Sequence, residues 1–192
     1  MALLGPKISP FKMPFLRRLS LFLILLGGLA SLLFTSEVCA AKGSDEAVIK
    51  AAFIYNFTKF ASWPEDSCPE EYLFIGIMAS DPVSRKLELL EGRKSGQRMI
   101  KVIRLKGASD SNCVNLIYVP NIDAISEEDL KFMRQRHILV VADGRDAVSK
   151  GAAISLYKKQ NRIRFDINLK VAKDSGIELS SRLLSLAVRV IR

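Results

Sequence analysis

The sequence predicts an α/β fold: a single-domain sandwich with a mostly parallel central sheet, helices on both faces and a C-terminal β-hairpin. Three observations carry this. Four apolar runs, Tyr72–Ala79, Met99–Leu105, Val114–Val119 and Ile138–Ala142, have strand length and little alternation, as strands covered on both faces do. Helix-opening signals stand between them, at Asp81-Pro82 and at Ser126. After Gly151 the pattern changes to two runs around a polar turn, the second strictly alternating. Strands interleaved with helices and then a hairpin indicate layered α/β architecture.

The elements follow in order. Ser44 is placed to cap a first helix, with Asp45 and Glu46 offsetting its positive end. Ile49, Phe53, Phe57 and Phe60 recur at helical spacing as its apolar stripe, with Lys50, Asn56 and Lys59 on other faces. Trp63-Pro64 ends it, because a residue before proline avoids the helical region. The strand Tyr72–Ala79 leads to Asp81 as N-cap and Pro82 as first helical residue, with Val83, Leu87 and Leu90 inward. Gly92–Gln97 reads as a loop before the strands Met99–Leu105 and Val114–Val119, the latter stopped by Pro120. Ser126 with Asp129 opens a helix to about Gln135, and Asp143-Gly144 closes the strand Ile138–Ala142. Ala153–Tyr157 and Arg162–Ile167 flank the turn Lys158–Asn161. Asn168 is placed to cap a short helix that Gly176 ends. Ile177–Leu179 is extended. Ser180 or Ser181 then caps a last helix with Leu183, Leu184, Ala187, Val188 and Ile191 inward.

The N-terminal forty residues have a different character. Lys7, Lys12, Arg17 and Arg18 precede an apolar run, Leu21–Phe34, closed by Val38-Cys39-Ala40. That order is the grammar of a secretory signal peptide. The expected organisation is a signal peptide at 1–40 and one α/β domain at 41–192, exported from the cytoplasm. The alternatives are an uncleaved anchor, for which the run is short, and a lipoprotein modified at Cys39, against which the bulk of Val38 counts. Residues 41–192 carry 25 Lys+Arg against 19 Asp+Glu, a balance of +6. With no basic cluster interleaved with aromatics, this reads as a solvated basic face rather than a nucleic-acid surface. Beyond the leader the cysteines are Cys68 and Cys113. An even count in an oxidising compartment points to one disulfide, with two separate thiols as the alternative. Each precedes a strand. If those strands are parallel neighbours, their starting ends share one sheet edge and a bond there is geometrically reasonable.

Residues that could carry chemistry are few. His137, the one histidine, starts a strand and is read as structural. It cannot gather the ligands of a zinc site, and no G-x-S-x-G elbow, Walker loop or G-x-G-x-x-G is present. Gly92 and Gly96 flank Arg93 and Lys94 without the strand-to-helix context of a phosphate loop. Asp143 follows a strand end, the rim where open α/β sheets bind ligands, and is also an ordinary turn residue before glycine. No nucleophile, base and oxyanion site assemble, so no catalytic residue, cofactor or metal is expected. A binding or regulatory protein is favoured over an enzyme. The alternative is a small-molecule binder using the rim near Asp81 and Asp143. Trp63 has two readings, an exposed partner contact or a helix-end plug in the core.

Two blocks carry a resemblance. Lys50-Ala51-Ala52-Phe53-Ile54-Tyr55-Asn56-Phe57-Thr58-Lys59-Phe60 leads to Trp63-Pro64. Near the far end, Arg164-Phe165-Asp166-Ile167-Asn168 precedes Gly176-Ile177-Glu178-Leu179-Ser180-Ser181-Arg182-Leu183-Leu184-Ser185-Leu186-Ala187. Both closely resemble the YfiR family of periplasmic proteins. The resemblance implies a homodimeric α/β regulator that holds down an inner-membrane diguanylate cyclase, or a related sensor kinase, by binding its periplasmic domain. Cyclic di-GMP and biofilm formation would be the output, and an OmpA-like outer-membrane lipoprotein a second partner that sequesters the regulator. The best-studied family pattern has four cysteines, of which only Cys68 and Cys113 have counterparts here.

Overall fold

The computed structural model describes residues 37–192 except Asp66 and Asn112. The chain divides into two units, Met1–Lys42 and Gly43–Arg192. Nearly all of the predicted signal peptide lies outside the described residues, and the fold is that of the second unit.

Helix α1, Glu37–Phe60, gives way to the two-residue strand β1, Ala61–Ser62. Ser44 lies inside this helix rather than capping it, because the helix begins at Glu37. Then follow β2 Tyr72–Ile77, α2 Pro82–Glu88, β3 Lys94–Ser95 and β4 Arg98–Arg104. Asp81 caps α2, its Oδ1 accepting from the backbone N–H of Val83 and Ser84. The loop expected over Gly92–Gln97 contains β3, which pairs antiparallel with β4 through a tight turn. β5 Leu116–Val119, α3 Glu127–Gln135 and β6 Leu139–Asp143 come next. β7 Ile154–Lys159 and β8 Arg162–Asn168 form the expected hairpin. Its two-residue connection, Gln160-Asn161, has positive φ at both positions, as a type I′ turn requires. α4 Leu169–Asp174, β9 Glu178–Leu179, α5 Ser181–Leu186 and β10 Arg189–Ile191 complete the chain.

The eight-stranded sheet has the order β10-β8-β7-β6-β5-β2-β4-β3. β4, β2, β5, β6 and β7 are mutually parallel, and β8 turns back antiparallel. β1 and β9 pair separately. The final helix expected to run to Ile191 stops after Leu186. Arg189–Ile191 instead joins β8 in parallel, and the Arg189 guanidinium bonds the buried Asp166 carboxylate at 3.0 Å. Two β-branched residues, Val190 and Ile191, favour that extended end.

Strand side chains alternate between two cores. Leu73, Ile75, Leu116, Tyr118, Leu139 and Val141 face α1, α2, α4 and α5, while Ile117, Val119, Val140 and Ala142 face α3. Gly76 lies on the second side, where a Cβ would stand 2.7 Å from Leu105 and 2.9 Å from Ile117. Cys68 and Cys113 are joined by a disulfide with Cα atoms 5.4 Å apart. It ties the starting ends of β2 and β5, which are parallel neighbours.

Candidate partner-binding surface

Helix α1 packs on the sheet through Ala47, Ala51, Ile54 and Phe57, all buried. These positions follow the 3.6-residue period, but rotated from the predicted stripe. Ile49 is 46% exposed and Val48 48%, and Lys50, expected on another face, is buried. Much of the outward face is apolar, with Val48, Ile49, Ala52 and the part-buried Phe53 and Phe60, alongside the exposed Asp45, Asn56 and Lys59. Exposed apolar side chains clustered on one helix face mark a surface suited to a partner.

Two grooves run along α1. One, about 260 Å³, lies against α2 between Val48, Ala52 and Tyr55 on one wall and Leu89, Lys86 and Arg93 on the other. The other, about 270 Å³, lies against α5, where Phe53, Phe57 and Phe60 face Leu183, Leu186 and Arg182. Phe53, Phe57 and Phe165 form an aromatic cluster with ring centroids 5.1 to 6.1 Å apart. The Arg182 guanidinium stands 5.7 Å over the Phe60 ring. Leu89 and Leu186 are 66% and 62% exposed. Among the described residues no carboxylate lines either groove, so each joins apolar walls to positive charge.

Lys50 explains why α1 is rotated. Its ammonium reaches inward to Asp143 at 2.6 Å and to Glu46 at 2.9 Å, and Glu46 also meets Lys158 at 3.0 Å. Burial alone would lower the Lys50 pKa. The hydrogen bonds to Asp143 and Glu46 outweigh it and hold the amine above its ordinary value. The hydrogen bond from Lys50 conversely holds Glu46 below the ordinary carboxylate value. Tyr118 sits beneath, its phenol pushed far up by burial and by the nearby carboxylates of Asp143 and Asp81. Both are already engaged, Asp81 in capping α2 and Asp143 in anchoring α1.

Two further sequence-marked residues tie elements together. Trp63 is 9% exposed and its indole N–H donates to the Asn115 carbonyl at 2.8 Å, the arrangement of the helix-end plug. His137 closes α3 with φ +57°, and its Nδ1 bonds the Ser175 carbonyl at 2.9 Å. The grooves beside α1 were missed by the sequence reading. The available signal was the residue set Val48, Ala52, Phe60, Leu89 and Leu186, which exceeds what one buried stripe per helix needs.

The YfiR/HmsC-like family matches residues 47–188. The chain belongs to this family. YfiR/HmsC-like proteins are periplasmic regulators of diguanylate cyclase signalling rather than enzymes. No curated protein matches the chain in sequence. Two solved structures show a distant likeness. The ABC domain in complex with L-Trp from Streptococcus pneumonia is 14% identical, with a TM-score of 0.44, over 65% of this chain and 57% of its own. A conserved domain protein from Vibrio cholerae O1 biovar eltor is 13% identical, with a TM-score of 0.45, over 62% of this chain and 54% of its own. The chain thus spans little more than half the length of either, and neither likeness bears on ligand or partner. Both YfiR-like blocks contribute to the α1 face: the first supplies Ala52, Phe53 and Phe60, and the second supplies Arg182 and Leu186.

Proposed function

We propose that this YfiR-like chain is exported by residues 1–40 and that its α/β domain, residues 41–192, binds the periplasmic domain of an inner-membrane diguanylate cyclase or sensor kinase and holds it inactive. The observation that carries this reading is the apolar outward face of α1 with a groove on either side. A contiguous apolar patch rimmed by polar groups marks an interaction surface. Inhibition would be a population shift: the regulator binds the inactive cyclase better than the active one, and only that difference represses. A hundredfold preference corresponds to roughly 2.7 kcal/mol. The reading carries two further family expectations, a homodimer and sequestration by an OmpA-like outer-membrane lipoprotein.

The test is capture from envelope extract with the tagged full chain, identifying bound proteins by mass spectrometry. A membrane cyclase or sensor is expected, and it should be lost with the double variant Val48→Asp, Ile49→Asp. Repeated recovery of neither kind of protein would overturn the proposal.

A further inference from the structure

Where α1 ends, at the opposite edge of the sheet from Asp143, a cavity of about 410 Å³ opens between the last turn of the helix, the segment 61–63 and the β3–β4 turn. That volume is in the range of small-molecule sites, roughly 300–1,000 Å³. Its apolar floor is the Trp63 indole with Leu73, both buried. One wall is fixed by two buried hydroxyls, Thr58 Oγ1 and Ser95 Oγ, bonded to each other at 2.7 Å, with Thr58 also donating to the Tyr55 carbonyl at 2.6 Å. These bonds tie the helix to the hairpin, so the walls are set before any ligand arrives. Gly96, at φ +62°, forms the hairpin turn that carries Arg98 to the rim.

The charge of the rim is one-sided. Lys59 and Arg98 line it, and among the described residues no carboxylate does. No ion pair to either cation is present among the described residues; the Lys59 ammonium stands 4.0 Å over the Tyr55 ring instead. Two cations over an aromatic and aliphatic floor repel a cationic ligand. They give a neutral one no ion pair, and they leave the floor uncovered when the anion is small and inorganic. We propose that this pocket binds a small organic carboxylate, its apolar part on Trp63 and Leu73 and its carboxylate held by the planar fork of Arg98 with Lys59 beside it. The site is independent of the α1 face and stands or falls without it.

Trp63 is the only tryptophan in the chain, so its emission reports on this pocket alone. The purified protein is titrated with phenylacetate and succinate as carboxylate probes, phenylacetamide as the uncharged counterpart, and inorganic phosphate as a bare oxyanion. The expected result is a saturable emission change with at least one carboxylate, none with the amide, and about tenfold weaker binding in Arg98→Gln at an unchanged melting temperature. If Arg98→Gln lowers the melting temperature, Lys59→Gln replaces it. The proposal is overturned if neither carboxylate gives a saturable response, if amide or phosphate matches them, or if the charge-removing variant binds as well as the native protein.

Discussion

At the scale of single residues, Lys50 sets the position of the helix on which the proposed function rests. With its two carboxylate partners it makes one buried link between α1 and the end of β6. Removing one partner of a buried ion pair costs about 3–5 kcal/mol; because Asp143 and Glu46 keep some solvent contact, Lys50→Met should cost roughly 1–3 kcal/mol in urea unfolding. The pH dependence follows from the directions of the two shifts. Glu46 is held below its ordinary 4.5, so its contribution is complete above that value and lost as acid titrates the folded carboxyl. Lys50 is held above its ordinary 10.5, so its contribution is complete below that value and lost as pH rises through the folded amine. Stability should therefore fall at both extremes, and Lys50→Met should flatten the alkaline limb. Gly76 gives a second check. A methyl group there meets Leu105 and Ile117 inside ordinary contact distance, so Gly76→Ala should destabilise by about 1–3 kcal/mol, read from the urea midpoint.

At the scale of elements, the central strands, the hairpin and the caps Asp81, Ser126 and Asn168 were legible in the sequence, and the last cap was narrowed to Ser180 or Ser181, of which Ser180 serves. Each depends on local chemistry: a nearly unbroken apolar run, a polar turn, a side-chain oxygen aimed at free N–H groups. Two elements were not legible for one shared reason. The stripe of α1 was misassigned because Ile49 and Phe53 are as apolar as the residues that are buried, so the period alone could not set the phase. A buried charge, Lys50, fixed it through partners 4 and 93 residues away. The last helix was drawn too long because Val188 and Ile191 fit a helical stripe, whereas the unpaired edge of β8 recruits Arg189–Ile191 as a strand. The candidate surface stayed hidden because it belongs to three helices at once. The disulfide acts at this scale too. Replacing Cys68 and Cys113 by serine should cost about 2–4 kcal/mol, and the intact non-reduced protein should be two hydrogens lighter than its fully reduced form by mass spectrometry.

At the scale of the whole molecule, the α1 face and the ion cluster lie on one helix but make separable demands. Val48→Asp with Ile49→Asp changes only exposed positions, so its melting temperature should stay close to native while partner capture is lost. Loss of both together would assign the face to folding instead. The sheet has a further consequence. Its two outermost strands, β3 and β10, are only 2 and 3 residues long. β8, which β10 shields on one side, is 7 residues long, with Ile163, Phe165 and Ile167 inward. Clipping the polypeptide before Arg189 would strip that cover, leave Asp166 without its guanidinium and present a long row of bare amide groups to neighbouring molecules. Clumping on storage, rather than unfolding, is the defect such a shortened form should show, and light scattering would reveal it.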